Sequence, residues 1–233
     1  MDNPILSFGV YTTPRVWVLR KWFRILESLT NVSNVTFTGC DLHEKKFQKL
    51  METLRYLPHL SVLNLDGNQI TSLLPLAPFA STGIWHLKLG NNEITDLTGL
   101  ELFAGLTFLE LTQNEITSIT PLQNLAALRR LDLSRNRITS VSGLQSLAFL
   151  EYLNLGSNYI TTVLPLQFLT HLEKLAIYPS YDNQINKTEL NALRKKLPRI
   201  SLFNCTKQFA ELCWNHNSAP LQQLCNLLPT SRR

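Results

Sequence analysis

One pattern of leucines and asparagines recurs at a fixed spacing and restricts the fold more than any other feature of this chain. Four asparagines stand 22 residues apart, at Asn92, Asn114, Asn136 and Asn158. Each lies in an apolar frame of the form L-x-x-L-x-L-x-x-N-x-I, which around Asn114 consists of Leu106, Leu109, Leu111, Asn114 and Ile116. A fixed period of roughly 20 to 29 residues predicts repeats that stack on one another and share a continuous core.

The frame also predicts the local structure of each repeat. Leucines in alternate positions face the same side of a strand, so each repeat contributes one short strand to a parallel sheet. The asparagine ends the strand and turns inward, where its amide bonds backbone groups that have no partner in the sheet. We expect a ladder of such residues: Asn68, Asn92, Asn114, Asn136 and Asn158. Replacing Asn114 or Asn136 by alanine is expected to lower stability by roughly 1 to 3 kcal/mol.

The block from Leu60 to Ile177 resembles leucine-rich repeats of the 22-residue class, typified by the regulatory subunit of protein phosphatase 1 and found also in bacterial internalins. The longer flanking units, such as the 28-residue step from Cys40 to Asn68, are similar to the ribonuclease-inhibitor class. The resemblance implies an α/β solenoid with a curved parallel sheet on the concave side and short helices or turns on the convex side. It also implies protein binding on the concave sheet, and it says little about the partner.

The repeats are predicted to lie between two helical caps. Residues 1–31 form the N-terminal cap, 32–204 contain about seven to eight repeats, and 205–233 form the C-terminal cap. Within the first cap, residues 14–29 read as an amphipathic helix that covers the open edge of the first repeat. The alternatives for this basic helix are a membrane surface, a calmodulin-like groove, or the end of an F-box.

Two irregularities stand out in the spacing. The first repeat has Cys40 in the asparagine position and continues into a predicted helix that begins near His43. An insertion at residues 178–182 delays the last ladder position to Asn183. A capped helix over 186–197 and a strand over 200–204 are predicted to follow.

The net charge of +5 is concentrated at the two ends of the chain. Residues 32–186 hold ten basic and thirteen acidic side chains, whereas residues 187–233 hold eight and two. A nucleic-acid footprint should gather on one binding face, so this distribution makes nucleic acid an unfavoured partner.

Composition favours a cytoplasmic location. No apolar run approaches the roughly 18 residues of a membrane span, and the N-terminus lacks the pattern of a secretory signal. Four cysteines are few for a disulfide scaffold, so reduced thiols are expected. The sequons at Asn31, Asn34, Asn186 and Asn204 are therefore expected to be unmodified.

The strand positions between the frame leucines face the concave side and are the candidate partner-binding residues. Aromatic residues and arginine dominate interface hot spots, and four successive strands carry His86, Phe108, Arg130 and Tyr152 in one column. The predicted set is His86, Lys88, Phe108, Glu110, Arg130, Asp132, Tyr152, Asn154, Lys174 and Tyr178. The alternative is that the rings and Arg130 stack only on one another.

Charges on neighbouring repeats leave a second question open. Four arginines (Arg129, Arg130, Arg135 and Arg137) follow three glutamates (Glu93, Glu110 and Glu115). They either orient a charged partner or form salt bridges between repeats, each worth under roughly 1 kcal/mol.

Motifs of catalysis are missing from the sequence. It contains no phosphate-binding glycine loop, no HExxH pair and no nucleophile elbow. The one candidate metal set is Cys205, Cys213, His216 and Cys225, whose spacing suits zinc poorly; thiols packed in a cap are the simpler interpretation. We therefore predict no enzyme activity, no cofactor and no metal.

The predicted function is a non-enzymatic protein-interaction module that acts as a scaffold or regulatory subunit. One alternative is a bacterial effector, delivered into a host cell, that binds a host protein through its repeats. A second alternative is nucleic-acid binding through the basic termini. The expected partner is a protein, with no small-molecule substrate and no membrane, and the chain is expected to be a monomer.

Overall fold

The structure is a computed structural model that describes residues 5–8, 32–178 and 183–204. For residues 5–8, 178, 203 and 204 it describes the backbone. The predicted N-terminal helix over 14–29, the C-terminal cap over 205–233 and the cysteine set within that cap lie outside these residues.

Within the described residues, nine parallel strands form a single sheet in which every strand pairs with its neighbours in the sequence. Their bounds are β1 Ile5–Phe8, β2 Asn34–Phe37, β3 Val62–Asn64, β4 His86–Lys88, β5 Phe108–Glu110, β6 Arg130–Asp132, β7 Tyr152–Asn154, β8 Lys174–Tyr178 and β9 Ser201–Asn204. This strand order is the one produced by repeats stacked along an axis, so the predicted α/β solenoid is confirmed.

The register aligns equivalent frame positions across the sheet. Leu109 lies opposite Leu131, and Leu131 lies opposite Leu153, so each frame leucine stacks on the same leucine of the next repeat. The first strand, β1, was not assigned from the sequence because no frame surrounds its four residues. It pairs in parallel with β2.

The length of a repeat decides which element its convex side can hold. The long first repeat contains the α-helix α1, Glu44–Leu54, and the last contains α2, Lys187–Lys196. The repeats between them have room only for short 3-10 helices, at Leu74–Phe79, Leu100–Leu102, Thr120–Asn124, Ser142–Leu144 and Leu164–Phe168. As predicted, Asn186 caps α2, since its side chain accepts a hydrogen bond from the Thr188 amide at 2.9 Å.

One continuous core runs between the sheet and the convex elements. The frame leucines are fully buried in every regular repeat, and so is the isoleucine that follows each ladder asparagine. Each repeat buries its apolar residues only against its neighbours, so stability depends on stacking.

Inward-facing asparagines join each repeat to the one before it. The Asn114 Oδ1 accepts from the Ile94 amide of the preceding repeat at 3.0 Å. Its Nδ2 donates to the carbonyls of Leu89 (2.9 Å) and Leu111 (3.1 Å). The same set of bonds recurs at Asn68, Asn92, Asn136, Asn158 and Asn183. The ladder therefore extends across the insertion to Asn183.

The residue before each of the first five ladder asparagines, Asn68 to Asn158, adopts the left-handed conformation. These residues are Gly67, Asn91, Gln113, Arg135 and Ser157, with φ between 54° and 68°. The positive φ turns the chain sharply at the end of the strand, and only the first of these positions holds a glycine, the residue that adopts it without steric strain.

Candidate functional site

The concave face of the sheet carries the side chains that alternate with the frame leucines. Two columns cross strands β3 to β8, one before and one after the central leucine of each strand. Neighbouring strands lie about 4.8 Å apart, so side chains in one column contact each other directly.

The column after the central leucine is a chain of polar contacts. Lys88 Nζ lies 3.3 Å from Glu110 Oε2 on the next strand, and both side chains are largely buried. Asp132 Oδ2 accepts from Asn154 Nδ2 at 2.9 Å, and its Oδ1 accepts from the Ser134 amide at 2.9 Å. These partners hold the buried charges of this column in place on the sheet.

Two carboxyl groups on this face are harder to ionise than usual. Burial raises the pKa of Asp66 to about 7, and the nearby Glu110 charge adds to the shift, although Lys88 and the Gly90 amide oppose it. Burial likewise raises the pKa of Asp132 to about 6, against hydrogen bonds from Ser134 and Asn154. The face therefore changes its charge close to neutral pH.

The column before the central leucine carries a cluster of rings around β4 and β5. Trp85 lies edge-on to Phe108, with ring centroids 5.3 Å apart, and His86 lies 5.3 Å from the same ring. The Arg130 guanidinium is 5.2 Å from the Phe108 centroid, in the range of a cation–π contact. The predicted stacking within this column is thus present for Phe108 and Arg130, and Trp85 extends it.

Exposure divides the predicted binding residues into two groups. Lys88, Phe108, Glu110, Arg130 and Lys174 are half-buried and reach the surface. Four others are buried: His86, Tyr152, Asp132 and Asn154, which are 6%, 4%, 1% and 3% exposed. The side chain of Tyr178 lies outside the described residues.

The four buried residues correct the expectation that every side chain of these columns is open to a partner. Alternation along a strand determines which face a side chain joins, but neighbours on adjacent strands determine how much of it remains uncovered. Asp132 and Asn154 cover each other in this way. Whether any residue of the set binds a partner stays a prediction.

A rim of exposed side chains lies where the strands end, outside the predicted set of binding residues. The side chains of Gln69, Glu93, Glu115, Arg137 and Tyr159, which follow the ladder asparagines, are all exposed. Their regular position after each asparagine was the signal that could have placed them in the candidate set. Asp66, which directly follows the frame leucine Leu65, was also absent from the predicted set.

Some arginines of the arginine-rich repeat form the predicted salt bridges between repeats. Arg129 pairs with Glu151, and Arg137 lies 3.3 Å from Glu115, so two of the four arginines bridge neighbouring repeats. All four of these paired side chains are substantially exposed, so the bridges are worth less than about 1 kcal/mol each.

The described residues contain no group of histidine, cysteine and acidic side chains that could hold a metal ion. Over the same part of the chain, no helix is both long and apolar enough to cross a bilayer.

Comparisons with known proteins find the same repeat. A family model described as "Leucine Rich repeats (2 copies)" matches residues 105–148 and 126–168, and one described as "Leucine Rich Repeat" matches residues 59–79. No curated protein matches the chain.

Three of the solved structures with a similar fold come from Listeria monocytogenes and Leptospira interrogans. An internalin from Listeria monocytogenes is 26% identical, has a TM-score of 0.65, and the match covers 76% of this chain and 48% of the internalin. Internalin C2 from the same organism is 28% identical, with a TM-score of 0.59 and coverage of 77% and 80%. A leucine-rich-repeat protein of Leptospira interrogans, 20% identical with a TM-score of 0.50 and coverage of 76% and 62%, shows the fold alone.

This chain spans about half the length of the first internalin. Leucine-rich-repeat domains are generally protein-interaction modules. The apolar frame, the asparagine ladder and these matches identify the chain as a leucine-rich-repeat protein.

Proposed function

We propose that this protein is a non-enzymatic scaffold or regulatory subunit that binds a partner protein on its concave face. The observation that carries the proposal is the half-buried cluster of Phe108 and Arg130 beside the ion pair of Lys88 and Glu110. A partner that covers this cluster would bury an aromatic ring and a guanidinium, which dominate the binding energy of many interfaces.

The site has a centre and a rim. Phe108 and Arg130 form the centre, where partial burial already holds the side chains in one conformation and reduces the entropy lost on binding. Exposed Glu115, Arg137 and Tyr159 lie along the rim and would contribute mainly to specificity and association rate. The buried His86 and Tyr152 flank the centre on the neighbouring strands and would hold it in position.

Capture of partners by two matched variants tests the proposal. The concave variant combines Phe108→Ala with Arg130→Glu. The control variant combines Gln123→Glu with Gln145→Glu, which replaces exposed residues on the convex side. Tyr152 is left intact, because removing a buried ring would lower stability and confuse the result.

We expect the concave variant to lose its partner by about tenfold or more in affinity, since replacing a hot-spot residue costs about 2 kcal/mol. The control variant should bind like the wild type, and the circular dichroism melts of both variants should match it. A partner that both variants retain equally would exclude the concave centre.

The effector alternative uses the same surface and predicts the same loss in the concave variant. It differs in the source of the captured protein, which would come from a host-cell extract. The nucleic-acid alternative predicts instead that affinity falls steeply with salt and is unaffected by the Phe108 and Arg130 changes. The cytoplasmic location and the monomeric state stay predictions.

A further inference from the structure

A second surface lies on the edge where the last repeats return from the convex side toward the sheet. It consists of Phe149, Phe168, Lys196 and Arg199, together with Leu164 at the start of the 3-10 helix that Phe168 ends, and we call it the return edge. The exposed fractions of Phe149, Leu164 and Phe168 are 52%, 50% and 58%. Large apolar side chains rarely remain this exposed together unless they contact something.

Backbone hydrogen bonds place these residues in equivalent positions of consecutive repeats. Just before β8 the Leu172 amide donates to the Leu169 carbonyl at 2.9 Å, and just before β9 the Ile200 amide donates to the Leu197 carbonyl at 3.0 Å. Phe168 and Lys196 directly precede the two accepting residues, so they occupy equivalent positions at the ends of consecutive convex helices.

A second row lies beside the first. His171 and Arg199 directly precede the donors Leu172 and Ile200, and Phe149 precedes the equivalent donor Leu150. The rings of Phe149 and His171 contact each other, with centroids 5.6 Å apart. The return edge is therefore one continuous surface on which aromatic side chains give way to basic ones toward the end of the solenoid.

Basic side chains outnumber acidic ones at this end of the described solenoid. Residues 183–204 hold five basic side chains and one acidic, Glu189. The Glu189 carboxylate accepts from the Thr162 hydroxyl at 2.7 Å and the Val163 amide at 3.0 Å, which directs it toward the preceding repeat. Glu173, at the start of β8, is exposed on the strand side of the edge.

Ion pairing separates these cations from those elsewhere in the chain. Lys46, Lys88 and Arg137 each lie within 3.3 Å of a carboxylate. Within the described part of the chain no ion pair involves the exposed cations of the last repeat, Arg194, Lys195, Lys196 and Arg199. Their charge is available to an external anion.

We propose that the return edge docks this protein on an anionic lipid surface. Clustered lysines and arginines are attracted to acidic headgroups, and exposed phenylalanine and leucine beside them insert into the headgroup region. A bilayer surface is broad and deformable, so it can contact the apolar and the basic side chains of consecutive repeats at the same time.

Nucleic acid fits the edge less well. A single strand would use the aromatic rings and the cations, but Leu164 offers no surface on which a base stacks. The sequence predicted no membrane partner because no segment is long enough to span a bilayer, and docking on a bilayer surface needs no such segment. The concave face remains open to a protein while the edge is docked.

Sedimentation of the full chain with lipid vesicles tests the proposal. One set of vesicles is pure phosphatidylcholine, and the other contains equal parts of phosphatidylcholine and phosphatidylglycerol. We expect the wild type to bind only the second set, with an affinity that falls as salt is raised. The apolar variant, Phe149→Ser with Phe168→Ser, and the charge variant, Lys196→Gln with Arg199→Gln, should each bind about tenfold more weakly or worse.

Matched controls use exposed residues elsewhere on the solenoid. Leu74→Ser with Leu102→Ser replaces two leucines that are 60% and 50% exposed, and Lys49→Gln removes a cation of α1. These controls should bind vesicles like the wild type, and all variants should melt like it because every replaced side chain is exposed.

Three results would overturn the proposal. The first is no binding of the wild type to the acidic vesicles, and the second is equal binding to both vesicle sets. The third is equal binding of wild type and return-edge variants, which would assign the lipid contact to another surface. Polyglutamate and oligothymidylate serve as alternative ligands. If the wild type binds one of these polymers but not the vesicles, and the return-edge variants lose that binding, the edge would be assigned to an acidic protein or a nucleic acid.

Discussion

The asparagine ladder makes a quantitative prediction, because each amide bonds groups on two repeats. In Asn114→Ala, the Ile94 amide loses its acceptor at 3.0 Å. The Leu89 carbonyl loses one donor but keeps Asn92, and the Leu111 carbonyl keeps Asn136. Only one buried group is therefore left without a partner, which predicts a loss of about 2 to 3 kcal/mol in the free energy of unfolding.

A double-mutant cycle isolates the shared carbonyl. Combining Asn114→Ala with Asn136→Ala removes both donors of the Leu111 carbonyl, so the double variant should lose about 1 kcal/mol more than the sum of the single variants. Asn92→Ala with Asn136→Ala is the matched control, since these amides share no carbonyl, and its effects should add.

Equilibrium urea unfolding, followed by circular dichroism, measures these differences. Asn124→Ala, an exposed asparagine of a 3-10 helix, should leave the urea midpoint unchanged. Equal coupling in the neighbouring and the separated pair would refute the shared-carbonyl argument, and an unchanged midpoint for Asn114→Ala would refute the ladder itself. Because repeat proteins can depart from two-state unfolding, a second probe such as tryptophan fluorescence should give the same midpoints.

Two further predictions concern the concave face and the turn. The folded pKa of Asp66 is raised to about 7 from 3.8, so its proton is held by the folded state and its contribution to stability falls as pH rises through this range. The free energy of unfolding of Asp66→Asn should therefore match that of the wild type near pH 4. Near pH 8 it should exceed the wild-type value by about 1 to 2 kcal/mol, allowing for the partial exposure of the group. A gain of equal size at both pH values in urea unfolding would contradict this linkage. Arg135, exposed with a φ of 56°, should tolerate glycine with a gain of about 0.5 kcal/mol and lose about 1 kcal/mol as valine; thermal melts that rank valine above glycine would exclude strain at this position.

Most of the fold could be predicted from the repeat period, because the same residue type is required at the same position of every repeat. A frame leucine such as Leu109 must be buried and Asn114 must face inward, so both could be predicted from spacing alone. The strand Ile5–Phe8 was missed because its pairing with β2 is set by contacts distant in the sequence and leaves no periodic trace. The binding surface was only partly predictable, since alternation placed Tyr152 on the concave face but did not indicate that it is buried.

The difference between frame positions and exposed positions allows one repeat to contribute to both proposed surfaces. Burial and the ladder constrain the leucines and Asn136, whereas Arg130 and Phe149, at opposite sides of one repeat, meet neither constraint. Substitutions at such positions change what the surface contacts with little effect on stacking, because surface changes away from special features alter stability by no more than about 0.5 kcal/mol. The two proposed binding surfaces can therefore vary independently. Variants of the concave centre should leave vesicle binding intact, and variants of the return edge should leave partner capture intact; loss of both functions in either variant would mean that the two surfaces are one.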